Sequence, residues 1–157
     1  MTMSGVKDTA IRQYARLLDR AAQQLAELKA PKEGWIAIMR KALGMSAPEL
    51  ARRMGVTKAA IYQAERKERD GGVTLQHMEK LAKALGGRFV YAIVPESSME
   101  NVLRTQARKK AESIIRRASA HMALEKQSLT PAQTSEEIER LADELLRDRP
   151  SDFWELR

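Results

Sequence analysis

The sequence predicts a mainly α-helical protein with one short β-strand. Two observations lead there. Apolar residues return every three or four positions through most of the 157 residues, between Ser/Thr residues placed as N-caps and glycines placed as terminators. Only "RFVYAIVP", residues 88–95, changes to a run of β-formers closed by a proline. Three regions follow: an N-terminal helix over 1–30, a compact unit with a terminal strand over 31–95, and a C-terminal helical region over 96–157.

The first helix is expected over 6–29, where Ile11, Tyr14, Leu18, Ala21, Leu25 and Leu28 are spaced three and four apart. That heptad-like seam fits either packing on its own chain or a dimer contact. Pro31 and Gly34 end it. Trp35, Ile36, Ile38, Met39 and Leu43 mark the second helix, with Gly44 at the left-handed position past its end. "SAPE" is a capping-box pattern that opens the third: Ser46 accepts from the amide of Glu49, and Pro48 suits a first turn. Gly55 closes it. Thr57 caps a fourth helix to about Lys67. Thr74 caps a fifth, with Leu75, Met78, Leu81, Ala82 and Leu85 on one face. A single strand needs a partner, and no second convincing strand exists, so Arg88–Val94 is expected to pair with the same strand of a second subunit. The alternative is an extended segment packed on the helices. "SSME" (Ser97 to Glu100) opens a long helix to about Lys126, basic at Arg104, Arg108, Lys109, Lys110, Arg116 and Arg117. A last helix follows "SLTPAQTSEE", with cap signals at Thr130 and Thr134. It carries Ile138, Leu141, Ala142, Leu145 and Leu146 inward and an acidic outer face. Phe153 and Trp154 are expected to dock, on this chain or on a partner.

The joint between the third and fourth helices carries the functional argument. Two helices joined through one glycine cannot lie side by side, so they cross steeply and one projects. Leu50 and Ala51 face inward, and Ala51 is small where the next helix crosses. Gly55 takes the turn, Val56 plugs the core and Ile61 buries the inner face of the fourth helix. These intervals are those of a helix-turn-helix. Lys58, Ala59, Tyr62, Gln63 and Arg66 face away from Ile61 and are the candidate base contacts in a DNA major groove. Lys58 suits guanine O6 or N7, Gln63 suits adenine N6 and N7, and Ala59 leaves room for a thymine methyl. Ser46, Thr57, Arg52, Arg53 and Lys67 are candidate phosphate contacts.

Charge agrees. Of a net +7, residues 31–95 contribute 12 basic against 6 acidic groups, a concentration that favours a polyanion. There is no cysteine, and His77 and His121 stand alone, so neither a thiolate metal site, a zinc site nor a catalytic triad is expected. No cofactor and no enzyme activity are expected. No apolar run is long enough to span a membrane and no secretory signal is present, so a cytoplasmic protein is expected.

Residues 35–94, carried by "MSAPELARRMGVTKAAIYQAERKE", resemble the Cro/XRE-type, lambda-repressor-like helix-turn-helix family. The resemblance implies a DNA-binding domain in which Glu65 is structural. The N-terminal helix, "GWIAIMRKALGMS", "GRFVYAIVP" and "RPSDFWE" together resemble the mobile mystery protein A family. That likeness implies an antitoxin-like regulator encoded beside a Fic-domain protein and autoregulation of a two-gene operon. The expected function is thus a sequence-specific, homodimeric regulator binding double-stranded DNA, with a Fic-domain protein as a further partner. The alternative is an interaction protein that binds and restrains a partner enzyme, with DNA binding secondary.

Overall fold

Seven helices run through the described residues, 3–124 and 129–156, of the computed structural model: α1 (Met3–Gln24), α2 (Trp35–Ala42), α3 (Ala47–Met54), α4 (Lys58–Asp70), α5 (Leu75–Ala84), α6 (Met99–Leu124) and α7 (Pro131–Arg147). Lys126, expected at the end of the long helix, lies outside the described residues. The chain divides into two compact units, residues 27–92 and residues 1–26 with 93–157. No helix among the described residues is long and apolar enough to cross a membrane.

In the 27–92 unit the helix starts are set by side chains. Ser46 Oγ accepts from the amide of Glu49 at 3.2 Å, Thr57 Oγ1 from Ala60 at 3.1 Å and Thr74 Oγ1 from His77 at 3.1 Å. Each satisfies one amide that has no partner inside its helix. The short helices α2, α3 and α5 could not persist alone in water. They persist because Ile36, Leu50, Ala51, Ile61, Ala64, Met78, Leu81 and Leu85 close into one buried cluster.

Three expectations for this unit are corrected. The strand over 88–94 is not formed: that run has no regular secondary structure, and among the described residues no second strand offers it a ladder. Val56 is 41% exposed and does not plug the core, because the chain turns outward at Gly55 and reaches the core again only at Ile61. Leu75 is 51% exposed; it follows the cap directly, one turn before Met78 reaches the core.

In the other unit α6 and α7 pack along each other around Ala107, Ala111, Ala142, Leu145 and Phe153. Ala107 and Ala111 are fully buried, and such small side chains let the helices approach closely. The basic face of α6 meets the acidic face of α7: Arg104 bonds Asp143 at 3.4 Å and Arg108 bonds Glu139 at 2.9 Å. These pairs are exposed and set register more than stability. Lys110 is different. Its ammonium is buried and donates to the carbonyls of Asp152 and Glu155 at 2.8 and 2.9 Å, with the Asp152 carboxylate 3.3 Å away. It fastens the 150–156 tail, and Phe153 fills the core beside it while Trp154 stays 60% exposed. Only the first of the two terminal aromatics docks.

Thr130 caps α7 in a reciprocal box with Gln133, and Thr134 sits inside the helix. Ser98, rather than Ser97, accepts from the Asn101 amide to start α6, and Asp19 of α1 accepts from the Met99 amide at 2.8 Å. α1 ends at Gln24, five residues short of the expected end. Leu18, Ala21 and Leu25 of its seam are half-buried, whereas Ile11 and Tyr14 of the seam, with Val6 and Leu17, are exposed.

Candidate nucleic-acid interface

α3 leaves its last turn through Gly55, whose φ of +67° is the left-handed conformation that L side chains rarely adopt. The amide of Val56 returns to the carbonyl of Ala51 at 3.0 Å and that of Gly55 to Arg52 at 3.3 Å, closing the carbonyl end of the helix. Thr57 then starts α4 two residues after the glycine, so the direction of α4 is fixed by its neighbours' backbone.

Three anchors hold the inner face of α4. Ile61 and Ala64 are buried in the apolar cluster. Glu65 is buried and accepts from Arg40 Nε at 2.8 Å, while Arg40 also donates to the carbonyl of Met45 at 3.1 Å. The structural role implied for Glu65 is therefore what the geometry gives. Glu68 is the third anchor. Its two carboxylate oxygens accept from the amides of Trp35 at 2.6 Å and Ile36 at 2.9 Å, capping α2 from the far end of α4. The negative charge also lies at the positive end of the α2 dipole. Gly34 makes room for it: a Cβ there would stand 2.9 Å from the Glu68 carboxylate, and its φ is +87°. Replacing Glu68 with Ala is expected to lower the stability of this unit by about 1–2 kcal/mol, and Gln should lose less, in urea unfolding followed by circular dichroism.

The outer face is open. Lys58, Ala59, Gln63 and Arg66 are exposed, and Tyr62 is 46% exposed on the flank. Among the described residues Lys58, Gln63 and Arg66 make no side-chain hydrogen bond or ion pair, so their donors are available to a ligand. All five expected base contacts thus share one solvent-facing side of one helix. Of the expected phosphate contacts, Arg52, Lys67 and Thr57 are exposed. Arg53 Nε is committed to the carbonyl of Ala84 at 3.0 Å, tying α3 to the end of α5 and leaving only its terminal nitrogens for a phosphate. Ser46 is half-buried, and its hydroxyl donates to Glu49 Oε1 at 2.9 Å. A phosphate at Ser46 would have to displace that carboxylate.

Sequence reasoning missed a basic margin beside Tyr62. Lys32, Lys41 and Arg69 line an open hollow with Tyr62 and the Arg40–Glu65 pair. Glu33 offsets one of these charges: a hydrogen bond from Lys41, reinforced by its charge, holds the Glu33 carboxyl below the ordinary glutamate value. No sequence spacing links these residues, because Lys32 precedes α2 and Arg69 lies at the end of α4; only the fold brings them together. The Glu68 cap was hidden for the same reason, its partners lying 32 and 33 positions away.

Residues 36–91 match the helix-turn-helix family model, of the Cro/XRE type. The match begins at the second residue of α2 and ends beyond α5, so it spans all four helices of the unit. No curated protein and no solved structure matches the chain.

Proposed function

With a Cro/XRE-type helix-turn-helix domain in place at residues 36–91, we propose that the protein is a sequence-specific, homodimeric transcriptional regulator of the cytoplasm, with no catalytic role of its own. One observation carries the reading: the exposed row Lys58, Ala59, Gln63 and Arg66 stands on a helix whose opposite side is locked by Ile61, Glu65 and Glu68. Such a helix presents donors to base edges without losing much side-chain order elsewhere. A nuclease footprint upstream of the protein's own gene tests it. Protection of a near-palindrome with half-sites about 34 Å apart is the expected result. Protection no different from that of random DNA would refute it.

The likeness of "GWIAIMRKALGMS", "GRFVYAIVP" and "RPSDFWE" to mobile mystery protein A extends the proposal to an antitoxin-like role beside a Fic-domain protein. A second reading, in which the chain chiefly binds and restrains a partner enzyme, draws on the exposed Val6, Ile11, Tyr14 and Leu17 of α1. Substituting Tyr14 and Leu17 with Ser separates the two. The regulator keeps its footprint, whereas a restraining protein loses copurification of the neighbouring gene's product.

A further inference from the structure

A cavity of about 390 Å³ opens between α2 and α5 inside the 27–92 unit. Trp35 and Met39 of α2 line one side, Met78 and Leu85 the other, and Phe89 completes the apolar surface. Arg88 is the single charged residue of the lining. The walls are held from outside the cavity. Met78 and Leu85 belong to the buried cluster, and Glu68 fixes the amides of Trp35 and Ile36 at the start of α2. The hollow is thus largely pre-formed, and its volume falls in the range of about 300–1,000 Å³ that small-molecule sites occupy. Trp35 and Met39 are exposed at its opening, and two methionine thioethers give it walls that adapt to a guest.

The charge beside these walls is uncommitted. Arg88 is exposed, and among the described residues it makes no side-chain hydrogen bond or ion pair. No acidic residue stands between Glu79 and Glu96, whereas Lys80, Lys83 and Arg88 do. We propose that the cavity binds an apolar monocarboxylate, its hydrocarbon body between Trp35, Met39 and Leu85 and its carboxylate on the Arg88 guanidinium. A guanidinium fork takes a carboxylate through two parallel hydrogen bonds, which a neutral or cationic head cannot supply. One arginine matches one acid: a second carboxylate would lie unpaired against apolar walls. At about 30 Å³ for each non-hydrogen atom the space suits on the order of a dozen, the size of decanoate. No residue of α4 lines the cavity, so this site is separate from the Lys58–Arg66 row and stands whether or not DNA is the partner.

Trp35 and Trp154 are the two tryptophans, so in the full chain carrying Trp154→Phe the emission reports on the cavity wall alone. Decanoate is expected to change that emission saturably, at one molecule per chain, with a Kd on the order of tens of micromolar. Arg88→Gln should weaken decanoate roughly tenfold or more and leave 1-decanol, which has no charge to pair, unchanged. Ala82→Phe, which fills the cavity from α5, should abolish binding of both with the helical signal retained. Arg88 is exposed, so its variant keeps the test open even if the filled cavity disturbs folding. Titrations at two protein concentrations tenfold apart should give one Kd. Absence of saturable binding, or decanoate held equally by the Arg88→Gln protein, overturns the proposal. So does a Kd that rises with protein concentration, since a second copy would then be what covers the hollow.

Discussion

The Glu65→Ala protein is expected to lose about 3–5 kcal/mol of stability in the helix-turn-helix unit. The Arg40–Glu65 pair is buried on both sides, with side-chain exposures of 10% and 6% and a 2.8 Å hydrogen bond. Truncating the acid strands a guanidinium in the core, with the Met45 carbonyl as its remaining acceptor. Domains of this size hold a margin of about 5–15 kcal/mol, so the loss removes a large share of it. The pair is not inherently superior to an apolar contact, however. Changing Arg40 to Met together with Glu65 to Leu should recover most of the deficit, because no charge is then left buried. Urea midpoints for the two single variants and the double give the test. A Glu65→Ala deficit below about 1 kcal/mol would mean that water reaches the site.

The second large effect concerns base recognition. Lys58→Ala combined with Gln63→Ala is expected to remove about 2–6 kcal/mol of discrimination, taking each base pairing at about 1–3 kcal/mol. At the low end that is roughly thirtyfold less preference for operator over random DNA. Folding should be untouched, since both side chains are exposed and unpartnered among the described residues. Arg52→Ala should behave differently. It weakens binding to all sequences alike and lowers the slope of log affinity against log salt by about one. Competition titrations at two salt concentrations distinguish the two classes. Base preference unchanged in the double variant would remove Lys58 and Gln63 from the interface.

What the sequence made legible divides along a physical line. Ser46, Thr57 and Thr74 could be read as caps because each bonds an amide three residues on, within reach of local spacing. Gly55, Leu50, Ala51 and Ile61 were legible for the same reason: the joint is made of near neighbours. Contacts across the chain were not. Glu68 was one more charge at the end of a helix until the fold laid it on the start of α2. Lys110 was one charge in the basic stretch of the long helix, yet it turns inward, and its partners are backbone carbonyls that no side-chain pattern records. Val56 and the 88–94 run failed in another way. Composition marked both as apolar, and composition alone does not say whether apolar surface is covered by the same chain.

The three fastenings of α4 carry a final implication. One end is set by the turn at Gly55, the middle by a buried ion pair and the other end by the Glu68 carboxylate, which accepts from the first amides of α2. A reading head clamped at three points cannot be swung away or retracted by a modest stimulus. In the dimeric regulator proposed above, on–off control then acts on how many heads engage one operator at once, where joining two weak grips multiplies occupancy without altering either.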